Sequence, residues 1–185
     1  GTLSARHNTL RGVRRTLPGP DVARHGPETP ISVYAEAPRR SGIKPALLTA
    51  ITGPEGNLTA VEVTYLDPNG RRASHLRLPR KQVGQVPPSS AVRIDPAAPL
   101  MLVAEGWFTT LSATEHFRLP GWALLSTRNM KTWRAPEGVE EVLIAADRGR
   151  WGLEAARELR AALRAQGVRA SIDQPPQPHD DYNAW

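Results

Sequence analysis

The chain has 185 residues, 39% of them apolar, and 24 basic against 18 acidic residues give it a formal net charge of +6. It contains no cysteine, which excludes disulfides and thiolate metal centres. No stretch approaches the roughly 18 apolar residues needed to span a bilayer, and no signal peptide opens the chain, so a soluble, cytoplasmic protein without a membrane partner is expected.

The positive charge is almost all arginine, since Lys44, Lys81 and Lys131 are the only lysines. A guanidinium presents a planar fork that matches phosphate oxygens, so DNA or RNA is the natural partner class. A solvated, arginine-rich surface would carry the same charge, so charge alone does not decide. The chain begins and ends abruptly, and Trp185 closes what reads as an unfinished motif, as in a piece of a longer polypeptide.

Residues 1–45 are poorly patterned. Arg11, Arg14 and Arg15 form a basic cluster, and Pro18, Pro20, Pro27, Pro30 and Pro38 interrupt any long element. This region is expected to be an arm or linker with one short helix near its start. Residues 46–98 are expected to be β-rich. Ala46 to Thr52 is a short β-prone run, and Val61, Val63 and Tyr65 alternate with Glu62 and Thr64, the period-two signal of a half-buried strand. Asp67-Pro68-Asn69-Gly70 is a turn, and Arg71 to Leu78 is expected to return as another strand. The meander has a basic exit: Arg71, Arg72, Arg77, Arg80 and Lys81.

Residues 99–185 read differently. Leu100 to Ala104 and Val142 to Ala146 are continuous apolar runs, which suit strands buried on both faces of a parallel sheet. Between them lie an expected helix, Thr109 to Phe117, a short strand, Trp122 to Ser126, and a helical turn around Asn129 to Trp133. Leu153 to Gln166 is the clearest helix, with Leu153, Ala156, Leu159 and Leu163 on one face and Gly167 where a left-handed cap is needed. Val168 to Ile172 is a final strand. This succession predicts an α/β fold with a mostly parallel four-stranded sheet flanked by helices, preceded by a small antiparallel β-rich segment.

Two carboxylates each follow a buried strand. Glu105 follows Leu-Met-Leu-Val-Ala, and Asp147 follows Val-Leu-Ile-Ala-Ala. Ligands of open parallel sheets bind beyond the carboxyl ends of the strands, so on neighbouring strands these acids would face one another there. Converging carboxylates make a hard-oxygen site suited to Mg²⁺ or Mn²⁺, which can neutralise phosphate oxygens during phosphoryl transfer. The alternative is that both are ordinary loop-starting acids that cap the following helices. Arg128, Arg148 and Arg150 lie at expected strand ends on the same rim as Asp147, where they either bind phosphate of a nucleic acid or pair with a neighbouring carboxylate. Trp107 and Trp151 flank the two acids, and either pack or stack on bases. His7, His25, His75 and His116 have no ligand-like spacing.

Val103-Ala104-Glu105-Gly106 with Thr110-Leu111-Ser112-Ala113 resembles the first motif of Toprim domains in primase-like proteins of phages and mobile elements. Trp122 to Ser126 with Asn129 resembles the next segment, and Leu143 to Asp147 with Gly152 and the helix ending at Gly167 resembles the Asp-x-Asp motif. Pro175-Pro176 with Asp181-Tyr182-Asn183 resembles the closing segment. The meander with Val63 to Gly70 and Pro79 to Lys81 resembles the β-rich region before Toprim in that group. The resemblance implies a nucleic-acid-processing domain of a primase-like or DNA-transfer protein, with replication or transfer proteins as further partners. It implies Glu105 as the acid or base and Asp147, with Asp181 near the same cluster, as metal ligand.

Three positions depart from the pattern. The second aspartate of the Asp-x-Asp motif is replaced by Gly149, Phe108 stands where relatives often carry an acid, and Arg128 where they carry a small residue. Losing one acid lowers divalent-ion affinity. The expectation is therefore a weakened metal site, with Mg- or Mn-dependent phosphoryl or nucleotidyl transfer if active. The alternative is a catalytically inactive fold that binds nucleic acid or a protein.

Overall fold

A computed structural model of the protein describes residues 23–30 and 43–185, the first of these stretches as backbone only. The basic cluster at Arg11 to Arg15 and the short helix expected near the start lie outside the described residues.

The first unit is an antiparallel sheet of four strands in the order β1-β2-β3-β4. They are β1 (Ala23–Pro30), β2 (Ile43–Thr52), β3 (Leu58–Tyr65) and β4 (Arg80–Gly84). One strand, β1, falls inside the stretch read as an arm. No strand forms over Arg71 to Leu78. That stretch is an irregular excursion with a single bridge, Leu66 to Arg72. The ladder explains the difference. Tyr65 N–H donates to Pro79 O, so the partner of β3 is the chain after the excursion, and β4 begins at Arg80. The Asp67–Gly70 turn closes as expected, with Gly70 N–H donating to Asp67 O at φ 78°, where glycine has no steric penalty.

The second unit is a five-stranded sheet in the order β5-β7-β6-β8-β9. Its strands are β5 (Val92–Arg93), β6 (Leu100–Ala104), β7 (Gly121–Ala123), β8 (Glu141–Ala145) and β9 (Arg169–Asp173). The four expected strands run parallel, and β5 adds an antiparallel edge. Helices α1 (Trp107–Phe117), α2 (Thr127–Thr132) and α3 (Arg150–Ala165) connect them.

The apolar runs have no alternation because both faces of the sheet are covered. Met101 and Val103 of β6 point to a core shared with Met130, Trp133 and the Ala156, Leu159 and Leu163 face of α3. Leu102 and Ala104 point the other way, to Ala113 of α1 and Tyr182. Gly121 is obligatory under α1, since a Cβ there would collide with the Thr114 side chain. A third cluster joins the two units: Leu47, Ile51 and Leu66 of the first pack with Trp107, Leu111 and Leu125 of the second. Trp107 is therefore a packing residue, 2% exposed. No helix among the described residues is long and apolar enough to cross a membrane.

Candidate functional site

Strands β6 and β8 are adjacent and in parallel register, with Ala104 opposite Ala145. Glu105 and Asp147 follow directly from these strand ends, and both line one concavity of about 450 Å³. Asp181, from the C-terminal segment, lines it as well. The segment is tied down by hydrogen bonds: Arg148 N–H donates to Asp180 O, Gln174 Nε2 to Asp147 O, and Tyr182 Oη to Asp173 Oδ1. Gly152 lets the first turn of α3 approach Asp147, because a Cβ there would stand 3.3 Å from Asp147 O.

The electrostatics of the three acids differ. Burial raises the Asp147 carboxyl to about 7, and the charges of Asp181 and Glu105 add to the effect. Its Oδ1 is buried without a hydrogen-bond partner. Burial also raises Glu105, opposed by the charge of Arg80 and by a hydrogen bond from the Thr127 backbone N–H. An orphaned carboxylate oxygen beside two further negative charges is the environment a cation relieves. No three His, Asp or Glu side chains among the described residues stand close enough to form a ready ligand set. Carboxylate oxygens are the hard donors that Mg²⁺ takes, and water would have to complete the shell of an ion held by one or two of them.

The opposite wall is basic and comes from the first unit. Arg71, Arg72 and Arg80 line the same concavity. Arg80 reaches it from the start of β4, where its Nε lies 3.9 Å from Glu62 Oε2. Glu62 is 4% exposed, and its pKa is raised by burial, against which Arg80 and a hydrogen bond from Gln82 act. Leu125 forms part of the lip at φ 74°, a strained conformation for a bulky residue, and its N–H donates to Glu105 O.

The structure brings Glu105, Asp147 and Asp181 together, and sets Arg128, Arg148 and Arg150 outside the concavity. Arg128 rides on α2, Arg148 Nε donates to Pro175 O, and the Arg150 guanidinium lies over the Trp151 ring at 5.2 Å. Trp151 is 69% exposed. The sequence signal for Arg71, Arg72 and Arg80 was present as the basic exit of the meander, but nothing in it placed that exit against β6. Gly149 caps α3 at φ −65°, and a Cβ there would meet nothing within 4 Å. Phe108, at the other departure from the pattern, lines the concavity.

Residues 100–185 match the model of the Toprim domain, and residues 1–94 match a domain of unknown function (DUF7146). No curated protein matches the chain in sequence. Among solved structures, the primase fragment of the bacteriophage T7 primase-helicase is similar at 17% identity with a TM-score of 0.54, over 76% of this chain and 57% of that one. A DNA primase domain from Pseudomonas aeruginosa is similar at 14% identity and a TM-score of 0.53, over 81% and 49%. The DnaG primase catalytic domain bound to ssDNA has the same identity and TM-score, over 75% and 47%. The likeness is one of fold, and the chain spans about half the length of these solved chains.

Proposed function

Because the chain belongs to the DUF7146 family and its residues 100–185 form a Toprim domain of the primase-like type, we propose that it acts on the phosphates of nucleic acid in a primase-like or DNA-transfer protein of a mobile element. One observation carries the reading: three carboxylates from the second unit and three arginines from the first line a single concavity. Either group alone is a common surface feature. Facing one another, they form a cleft in which arginines hold a phosphate chain while acids hold a cation against it.

In this reading Asp147 and Asp181 are the residues that would hold Mg²⁺ or Mn²⁺. Such an ion, when bound, supplies charge neutralisation at phosphoryl oxygens. Glu105, half-buried and raised in pKa, accepts or returns a proton at its carboxylate oxygen, and the Thr127 N–H fixes its orientation. Arg71 and Arg72 bind phosphate oxygens, and Arg80 is held in place by the buried Glu62. The strapped C-terminal segment keeps Asp181 at the lip.

Gly149 favours a second reading, in which the fold binds nucleic acid without catalysis. Gly149 adds no carboxylate to the acids, so the ion would be weakly held. Replication or transfer proteins are the partners that the surrounding polypeptide would engage in either case.

Anisotropy of a labelled single-stranded oligonucleotide tests the proposal. Mg²⁺ or Mn²⁺ tightens binding to the native chain and has no such effect on Asp147→Asn. Absence of oligonucleotide binding at low salt would remove the nucleic-acid reading.

A further inference from the structure

Asn129 is 7% exposed, and its carboxamide spends both donors and its acceptor on the backbone. Nδ2 donates to Leu124 O at 2.8 Å and to Ser90 O at 2.7 Å, and Oδ1 accepts from the Ser89 N–H at 3.1 Å. A primary amide offers two N–H donors beside one carbonyl acceptor, a set that aspartate and serine lack. The partners lie on two separate stretches. Ser89 and Ser90 belong to the segment that leads from the arginine-bearing β4 to β5, and Leu124 belongs to the turn between β7 and α2.

Both stretches are strained where Asn129 holds them. Ser89 stands at φ 65° and Leu125 at φ 74°, two of the three non-glycine residues with positive φ among the described residues. Such conformations persist only where the surroundings over-determine them. The peptide unit between Leu124 and Leu125 is pinned at both ends. Its N–H donates to Glu105 O at 2.7 Å, and its carbonyl accepts from Asn129 and from the Ser126 N–H. Two residues after Leu125, the Thr127 N–H reaches the Glu105 carboxyl.

We infer that Asn129 is a positioning residue for Glu105, acting through the strained turn from Leu124 to Thr127. The inference rests on the reading of Glu105 as the proton-accepting group of the cleft. Asn129 is not among the residues that line that cleft. Its carboxamide holds the turn in the left-handed form, and the turn holds the Thr127 N–H on the carboxyl. Without the carboxamide, Leu125 relaxes to negative φ, the Thr127 N–H withdraws, and the Glu105 carboxyl turns freely.

Amide hydrogen exchange, read by nuclear magnetic resonance on the full ¹⁵N-labelled chain, tests this. Thr127 opens α2, so its N–H has no partner within the helix and its protection reports the Glu105 contact. Glu105→Ala should remove that protection, and Asn129→Ala should speed exchange at Thr127 by tenfold or more. Adding Leu125→Gly to Asn129→Ala should restore most of the protection, because glycine holds a positive φ without penalty. A purely structural role predicts the opposite. Leu125 is 7% exposed, so its loss removes further packing, and exchange at Thr127 should then rise together with that of Leu159 in α3. Asn129→Ser serves in both backgrounds if the alanine chain does not fold, with the same pattern expected. The measurement uses neither ion nor nucleic acid, so its failure and the failure of the cleft reading are seen separately. Protection of Thr127 that survives Glu105→Ala or the Asn129 variants, or that is lost without recovery on adding Leu125→Gly, would overturn the inference.

Discussion

Asp147 and Asp181 line one concavity, and the charge of Asp181 helps burial to raise the Asp147 carboxyl to about 7. The two residues come from different elements, one from the end of a central strand and one from a C-terminal segment held by backbone hydrogen bonds. Repulsion between them persists because the fold constrains both.

This arrangement makes stability depend on pH in a defined direction. The folded pKa of Asp147 lies above its ordinary value of 3.8, so the folded state binds the proton more tightly than the unfolded state. The cost is absent below the unfolded pKa and grows as pH rises towards about 7, where the carboxyl ionises. Asp147→Asn should therefore raise the melting temperature at about pH 8 and change it little at about pH 4. Saturating Mg²⁺ should narrow the difference at the higher pH. Thermal melts at the two values check this, and an equal shift at both would show that Asp147 is not destabilised by its charge.

The basic wall makes a different prediction. If Arg71 and Arg72 hold phosphates, replacing both with Ala should weaken single-stranded oligonucleotide binding across all sequences. The salt slope of log affinity should become shallower by about 0.7 for each phosphate that is no longer neutralised. Replacing Arg157 with Ala, on the exposed face of α3, should change neither quantity. Anisotropy at several salt concentrations distinguishes them.

Gly149 offers a gain-of-function test. Its φ of −65° is open to any residue, and an added Cβ meets nothing within 4 Å. Gly149→Asp should fold normally and gain a few tenths of a kcal/mol as a helix cap. It should also tighten Mn²⁺ binding severalfold if the ion sits where the acids converge. Calorimetry on the two chains measures both effects.

Trp107 joins the two units, and its removal should be felt as stability. Trp107→Ala should cost about 3–5 kcal/mol, as expected for a large buried aromatic side chain. Trp107→Phe should cost far less, because it keeps a ring and removes an indole N–H that has no partner. Urea denaturation of the three chains checks the ranking.

Much of the second unit was legible in the sequence for a physical reason. Strands buried on both faces leave uninterrupted apolar runs, and the acid after each run marks the strand end where ligands gather. Leu100 to Ala104 and Val142 to Ala146 carried that signal, and their adjacency then brought Glu105 and Asp147 to one cleft. The first unit was less legible. Arg71 to Leu78, after a strong turn, reads as a returning strand, but Tyr65 pairs with Pro79 and leaves that stretch out of the ladder. The arginine wall was illegible because its position depends on Leu47, Ile51 and Leu66 docking against Trp107 and Leu125, a long-range packing that no local pattern encodes. Arg148 reads as a rim residue by position, and its Nε donates to Pro175 O.

Binding of Mn²⁺, followed by electron paramagnetic resonance on the native chain, Glu105→Gln and Asp147→Asn, bears most directly on the cleft. The native chain should take up the ion in the millimolar range, Asp147→Asn should weaken uptake by roughly tenfold, and Glu105→Gln should weaken it less. Uptake by all three chains with equal affinity, or by none of them, would contradict the account.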